Sequence, residues 1–401
     1  MLDESLLDDG AALEERDRSG LLLGAAAAGA RVRIALRLAQ EAGAAGLTPD
    51  GRPRSLLVAG HGDTGHVGDL IAALAGNVCP VLTLHPTGDT AAARPAPPPE
   101  APAAGGPAVP GTVLDLRWSL PGWVGPLDLL MIGSSTGTEP GLVALVEQAY
   151  QHGSTVVCVA PPGTPLADAV AQTRGMALPF ALSTVGLPEP PAAPETTAFH
   201  DPGRFWAILV PLLVLLERLG ITRTTTEELG ALADRLDAAA ERCGPAAAVH
   251  LNPAKALAVQ LADSLPLLWS EGAVPSAVAR RFAALLAERA GRPALAAELP
   301  EALMTHRGLL SGTFAGEAHT DDFFRDRVED PAPLELRIVL LRANDGEESA
   351  PGPAHRLADE HETPLSEPAA SAAGPLETAA DLLALADFLS VYLAVADAGR
   401  S

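Results

Sequence analysis

The chain has 401 residues, too many for a single compact core, so its length predicts two domains. Apolar residues make up 48% of it and charged residues 19%, a balance typical of globular proteins. The formal net charge of -23 argues against binding to nucleic acid or to an anionic membrane surface, because phosphate groups carry the same charge. We therefore expect no nucleic-acid and no membrane partner, and any anionic ligand must be held by local groups.

The N-terminal segment MLDESLLDDG is acidic, which is atypical of signal and transit peptides, so we expect a cytoplasmic protein. Cys79, Cys158 and Cys243 lie far apart, and Cys158 falls inside a strand-like run. This predicts free, buried thiols in a reducing compartment. The longest apolar stretch, FWAILVPLLVLLERLGI, contains Pro211 and is too short to span a bilayer, so it predicts a buried helix.

In chain order, apolar residues first recur at helical spacing over residues 12–46. SLLVAGHGDTGHVGDLIAALAG then predicts a strand, a glycine-rich turn and a helix, and CPVLTLH predicts another strand. Residues 91–111, rich in Ala, Pro and Gly, predict a surface insertion. LDLLMIG, SSTGTEPG, LVALVEQAYQHG and TVVCVA then give a strand, a loop, a helix and a strand. That order predicts a parallel sheet covered by helices.

A Pro-rich segment around GLPEPPAAPETT separates this region from a second series of elements. Helices are predicted from Gly203, in TTEELGALADRLDAAAERCG and in the closing ADLLALADFLSVYLAVADA; strands are predicted in LPLLWS and LELRIVLLRA. Acidic, Pro-rich residues 344–376 predict a loop. The second half therefore reads as another α/β unit. We divide the chain into N-terminal helices (1–50), a first domain (51–190) and a second domain (191–401).

Two loops of small residues follow strands of the first predicted sheet. SSTGTEPG precedes a helix, where unpaired N–H groups attract an anion, and Ser134, Thr136 and Thr138 add hydroxyls while Gly137 permits close approach. GHGDTG places Thr64 at a similar helix start. Because parallel strands end at one shared crevice, we expect both loops to converge on one phosphate. The alternative is that these Ser and Thr residues only cap their helices.

These segments resemble the sugar isomerase (SIS) domain and, more narrowly, the bifunctional phosphoglucose/phosphomannose isomerases of archaea and bacteria. The likeness continues, in the family's order, through DPGRFWAILVPLLVLLERLGI, NPAKALAVQLADSLPLLW, AERAGRPALAAELPE and ADFLSVYLA. Within that family, the chain most resembles the divergent actinobacterial members called TobH-like. The resemblance implies an α/β fold of two SIS-type parallel-sheet sandwich domains with flanking helices.

The resemblance assigns the substrate phosphate to both loops. Thr64 stands at the family's substrate-contacting serine, and Ser134, Thr136 and Gly137 match the second loop. Glu139 falls where that loop's final threonine would be, unless Thr138 serves instead. Asp63 and Glu139 depart from the pattern, because a carboxylate beside a phosphate is unfavourable. We therefore expect Glu139 to point away, to carry a proton or to contact a sugar hydroxyl; it could also indicate a different ligand.

The resemblance also implies catalytic roles in the second half. Glu288 aligns with the base that moves a proton between C2 and C1, and Arg204 with an arginine that would stabilise the enediolate. Met304 stands at the family's ring-opening histidine, and His306 follows two residues later. The ordinary alternatives are a solvated glutamate, a surface or ion-paired arginine and a loop histidine. The family's C-terminal lysine has no counterpart here.

The resemblance implies a cofactor-free isomerase that interconverts fructose 6-phosphate with glucose 6-phosphate or mannose 6-phosphate. It also implies a homodimer, because the family's histidine reaches the site from the partner subunit. The alternative is a phosphosugar-binding protein that has lost catalysis and regulates or scaffolds the enzymes of mannose activation. We expect no metal site, because His61 and His66 lack carboxylate or thiol partners at ligand spacing.

Overall fold

The computed structural model describes residues 3–44, 51–88, 116–180, 201–312, 335–344 and 352–397. The chain divides into two compact units. We call the first the five-stranded unit, comprising Ala35–Ala181 and Ala207–Thr224. The second, the four-stranded unit, comprises Met1–Ile34, Leu182–Trp206 and Thr225–Ser401.

The five-stranded unit is built on a parallel sheet of strand order β2-β1-β5-β6-β7. Its strands are β1 (Ser55–Ala59), β2 (Val81–Leu84), β3 (Thr87–Gly88), β4 (Leu116–Arg117), β5 (Asp128–Gly133), β6 (Thr155–Ala160) and β7 (Met176–Pro179). β3 and β4 form a separate antiparallel pair. β1 and β5 are buried at every position, as strands covered by helices on both faces must be. The predicted strand, loop, helix and strand order is therefore confirmed.

The four-stranded unit contains a second parallel sheet, of order β11-β10-β8-β9. Its strands are β8 (Ser264–Ser270), β9 (Leu295–Glu298), β10 (Glu335–Leu341) and β11 (Leu365–Ser366). Two parallel sheets with packed helices confirm the predicted α/β class. The insertion at 91–111 and the Pro-rich segment at 186–197 lie outside the described residues.

The helices follow the predicted order along the chain. They are α1 (Glu4–Leu7), α2 (Gly10–Arg16), α3 (Leu21–Ala26), α4 (Ala28–Glu41), α5 (Asp63–Ala75), α6 (Pro140–Gln151), α7 (Pro165–Gln172), α8 (Gly203–Arg218), α9 (Thr226–Cys243), α10 (Pro253–Leu261), α11 (Ala273–Leu285), α12 (Ala302–Thr305), α13 (Arg307–Leu310), α14 (Pro353–Glu360) and α15 (Pro375–Val395). The apolar stretch around Pro211 forms α8 and is buried, as predicted. All three cysteines are free and buried, also as predicted.

The prediction of a loop over residues 344–376 was wrong for most of its described part. Pro353 begins α14 at a position where proline costs no hydrogen bond, and Ala354, Leu357 and Ala358 bury one face of that helix. β11 then pairs with β10. The acidic composition concealed a short amphipathic helix whose apolar face is only three residues wide.

Helix α15 forms the centre of the four-stranded unit and packs against α9, α10 and α11. Among the described residues it alone has the length and hydropathy of a membrane span, but 89% of its apolar 18-residue stretch is buried inside the fold. Burial of this extent is what the core helix of a folded domain requires. Its ring of Tyr392 also faces the only lysine of the chain.

Lys255, at the start of α10, is fully buried. Its Nζ donates hydrogen bonds to the carbonyl oxygens of Leu7, Pro245 and Ala247 at 2.6, 2.7 and 2.8 Å. Three acceptors match the three protons of an ammonium group. Burial nevertheless lowers the pKa of Lys255, because desolvation disfavours the charged form. The side chain therefore fastens the N-terminal helix α1 to the α9–α10 connection.

We expect Lys255→Met to destabilise the four-stranded unit by roughly 3 kcal/mol, because it leaves one buried and two partly buried carbonyl groups without their donor. Urea unfolding followed by circular dichroism measures the change. Arg307→Met is the control, since the Arg307–Glu360 pair is exposed on both sides and is worth about 0–1 kcal/mol. Equal stability of the two variants would show that the lysine contacts do not hold this unit together.

Candidate functional site

Of the two glycine-rich loops, the first in chain order is GHGDTG and the second is SSTGTEPG. The second loop connects β5 to α6 and folds around the hydroxyl of Ser134. Ser134 Oγ accepts hydrogen bonds from the backbone N–H groups of Gly137 at 2.7 Å and Thr136 at 3.2 Å. Gly137 has φ +66°, and a Cβ there would collide with the side chain of Thr164. Glycine is therefore required at this position. Ser134 itself is 3% exposed.

The carboxylate of Glu139 folds back into this loop. Glu139 occupies the N-cap position of α6, and both of its carboxylate oxygens lie within 2.8 Å of Ser134 Oγ. Its Oε1 also lies 3.2 Å from Nε2 of His61, which belongs to the first glycine-rich loop. The side chain of Glu139 is 16% exposed. The predicted convergence of the two loops is thus observed, and a carboxylate joins them.

The environment of Glu139 favours its charged form. Burial opposes ionisation, but hydrogen bonds from His61, Ser134, the Glu139 backbone N–H and Thr136 outweigh it and lower the pKa from 4.5 to about 2. We expected Glu139 to point away, to carry a proton or to contact a sugar hydroxyl. In this structure the side chain points into the loop, and its hydrogen bonds favour the anion over the protonated form.

The first loop is tied to the second through Thr64. Its Oγ1 donates to the carbonyl oxygen of Gly133 at 3.0 Å, and the residue is 1% exposed. Gly60 and Gly62 both have positive φ, which lets the chain turn from β1 into α5. Thr64 therefore links the ends of β1 and β5. Thr138 is exposed, and its Oγ1 lies 3.2 Å from that of Thr136.

The contacts do not form a nucleophilic triad, although serine, histidine and an acid meet here. A nucleophilic serine needs a base that removes its proton, usually a histidine that a carboxylate orients. Here the Ser134 hydroxyl donates a hydrogen bond to Glu139, whose pKa of about 2 makes it a weak base. The arrangement stabilises an anion at the start of α6 instead.

We call the contacting residues His61, Thr64, Ser134 and Glu139 of the two loops the loop cluster. The predicted catalytic residues lie outside it, in the four-stranded unit. Glu288 sits on a π-helical turn, Leu286–Ala290, and is exposed. The adjacent Arg289 is buried, and its Nη1 donates to Asp387 Oδ1 at 2.9 Å and to Ser390 Oγ at 3.0 Å. Single π turns within helices frequently occur at functional sites. Arg289 thus anchors the turn that presents Glu288.

The other two catalytic candidates are buried. Arg204 lies in the first turn of α8 and is 7% exposed. His306, between α12 and α13, accepts a hydrogen bond at Nδ1 from Trp269 Nε1 at 2.9 Å. Burial lowers the pKa of His306, and because Nδ1 accepts from Trp269, the neutral ring carries its proton on Nε2. Sequence spacing gave no sign of the Trp269 contact.

Comparison with known proteins locates a family match in the four-stranded unit. Residues 250–398 match the family described as the bacterial phospho-glucose isomerase C-terminal SIS domain. No curated protein matches the chain by sequence. The matched segment contains Glu288, Arg289, His306 and Asp387, whereas Arg204 and both glycine-rich loops lie outside it.

Solved structures extend the likeness to nearly the whole chain. A protein provisionally described as a phosphosugar isomerase from Silicibacter pomeroyi has a TM-score of 0.57 at 15% identity, over 93% of this chain and 96% of that one. Another of the same description from Clostridium difficile scores 0.53 at 11% identity, over 95% and 92%. The C-terminal domain of glucosamine-fructose-6-phosphate aminotransferase from Francisella tularensis scores 0.51 at 12% identity, over 94% and 95%.

The chain has the SIS-type fold. Identities this low establish the fold and not the activity, because one fold serves many reactions. Within the SIS-type fold the loop cluster lies at the carboxyl ends of β1 and β5, the edge at which open parallel sheets bind ligands. The predicted fold of parallel-sheet sandwiches is confirmed.

We expect Glu139→Gln to lower the free energy of unfolding by on the order of 3 kcal/mol at pH 7, the value of a pKa held at about 2 instead of 4.5. A depressed carboxyl pKa stabilises the folded state above the unfolded pKa, and the contribution is lost as the pH falls towards 2. The difference between parent and variant should therefore shrink as the pH falls below about 4.5. Chemical unfolding at pH 7, 5 and 3 measures it.

Glu147→Gln is the matched control, because Glu147 lies exposed on the same helix, α6. Its effect should be within about 0.5 kcal/mol at each pH. A Glu139→Gln effect of the same size at pH 3 and pH 7 would contradict the assignment of an ionised, hydrogen-bonded carboxylate.

Proposed function

We propose that the protein is an aldose–ketose isomerase of hexose phosphates, interconverting fructose 6-phosphate with glucose 6-phosphate or mannose 6-phosphate. The observation that carries the proposal is the match of residues 250–398 to a phospho-glucose isomerase SIS domain, with Glu288 inside it. The solved phosphosugar-related structures of the same fold support the substrate class.

In the proposed reaction Glu288 acts as the transfer base. Its carboxylate accepts the proton from C2 of the open-chain aldose while the electrons of the C–H bond form the enediolate. The same carboxyl group returns the proton to C1 while the proton of the C2 hydroxyl passes to O1. A C1 hydroxyl and a C2 ketone form, so that protons and electrons balance without a cofactor. Arg289, held by Asp387 and Ser390, keeps the turn in place. Arg204 is proposed to stabilise the negative charge of the enediolate.

The substrate's phosphate is proposed to bind at the loop cluster. Ser134, Thr136, Gly137 and Thr138 directly precede the start of α6, where the helix dipole favours a negative charge. The contacts of Glu139 support this assignment, because the Ser134 hydroxyl and His61 Nε2 already lie against a negatively charged group in this loop.

A second candidate is a phosphosugar-binding protein without catalysis, of the regulatory or scaffolding kind. Burial and the Trp269 hydrogen bond of His306 favour it, because a ring-opening group must reach a sugar oxygen. The two candidates differ in proton exchange at C2, which only the isomerase performs.

We expect the parent protein to incorporate deuterium at C2 of a hexose 6-phosphate in heavy water, and Glu288→Gln to reduce that rate by roughly 10² or more. Glutamine keeps the size of the side chain but cannot accept the C2 proton. Glu241→Gln, an exposed change on α9, is the control and should leave the rate unchanged. An active parent with an equally active Glu288→Gln would remove Glu288 from the mechanism, and an inactive parent that binds the sugar phosphates would favour the second candidate.

We also propose that the protein is a homodimer, as the resemblance to the isomerase family implies. Light scattering at micromolar concentration should give about twice the chain mass of 41.0 kDa, because stable dimers commonly bury on the order of 2,000 Å² or more. A mass of one chain at that concentration would reject the dimer.

A further inference from the structure

We infer that Glu139 competes intramolecularly with the ligand's phosphate for two hydrogen-bond donors, the Ser134 hydroxyl and Nε2 of His61. The inference rests on the proposed function, because it takes this loop as the phosphate site. Beyond that function, the inference assigns a role to the Glu139 carboxylate, which contacts Ser134 and His61.

The first step is that the donors serve one anion at a time. Ser134 has a single hydroxyl proton, and it points to a carboxylate whose two oxygens lie 2.8 and 2.7 Å away. Nε2 of His61 likewise meets Oε1 of Glu139. A phosphate that used either donor would have to take the place of the carboxylate.

The second step is that carboxylate and phosphate cannot share the loop. Two negative charges a few ångströms apart repel strongly where the surroundings are partly desolvated, and Glu139 is only 16% exposed. Protonation does not relieve the repulsion at neutral pH, since the pKa of Glu139 is about 2. A bound phosphate therefore requires the carboxylate to rotate out of the loop.

The third step concerns affinity. Glu139 is part of the same loop, so as a competitor it acts intramolecularly at a high effective concentration. The apparent dissociation constant for phosphate rises by the reciprocal of the fraction of molecules in which the carboxylate has left. Removing the carboxylate should thus tighten binding without any new contact.

Two substitutions separate charge from shape. Glu139→Gln is isosteric and removes the charge, whereas Glu139→Thr also removes the reach into the loop and supplies a favourable N-cap residue for α6. Glu147→Gln is the control, on the exposed side of the same helix. Isothermal titration calorimetry of the full chain with inorganic phosphate, in phosphate-free buffer, measures the affinity.

We expect Glu139→Thr to bind inorganic phosphate at least 10-fold more tightly than the parent, with Glu139→Gln between them and Glu147→Gln equal to the parent. Adding Ser134→Ala to Glu139→Thr should abolish the gain. Parent and Glu139 variants with equal affinity, no phosphate binding by any variant, or a gain that survives Ser134→Ala would each overturn the inference.

The result is separable from the fate of the proposed reaction. Tighter phosphate binding by Glu139→Thr without deuterium exchange at C2 would reject the isomerase while leaving the competition established. Deuterium exchange by the parent, together with a phosphate affinity that Glu139→Thr leaves unchanged, would support the isomerase and reject the competition.

Discussion

The functional interpretation depends on the hydrogen bonds that the carboxylate of Glu139 accepts. This carboxylate receives hydrogen bonds from His61 of one loop and Ser134 of the other, so it fixes the spacing of two loops that leave neighbouring strands. A carboxylate with these partners is stable as an anion despite its burial. The loop is thereby identified as a place that stabilises negative charge, and its ordinary occupant is the protein's own side chain.

In the four-stranded unit a buried charge is again compensated by its hydrogen-bond partners, but there the charge is positive. Arg289 is buried and would be costly there without its contacts to Asp387 and Ser390. Those contacts hold the π turn Leu286–Ala290, in which the preceding residue, Glu288, is exposed. In the proposed reaction this support would hold the Glu288 carboxylate in place for proton transfer.

Much of the fold could be predicted because its strands carry strong local signals. LDLLMIG and TVVCVA are apolar runs bounded by loops, and both are buried strands. β9, with the sequence LAAE, gave no such signal, since it has no β-branched or aromatic residue and depends on pairing with β8. The helix at Pro353 was missed because acidic neighbours masked its narrow apolar face.

The site could be predicted only in part. Its two loops were recognisable from small residues after strands, but the role of Glu139 depends on a donor 78 positions away in the sequence, His61. His306 was predicted as a loop or ring-opening group, whereas tertiary packing buries it beside Trp269. Contacts between distant segments decide whether an ionisable side chain is charged, and spacing along the chain does not encode them.

The ionisation of Glu139 can be measured directly by carboxyl carbon NMR on protein labelled at glutamate, with the resonance assigned by its loss in Glu139→Gln. A titration from pH 7 to the lowest pH at which the protein stays folded should leave that resonance in its ionised position until well below pH 4.5. A midpoint at or above 4.5 would contradict the account, because the loop would then not be stabilising an anion.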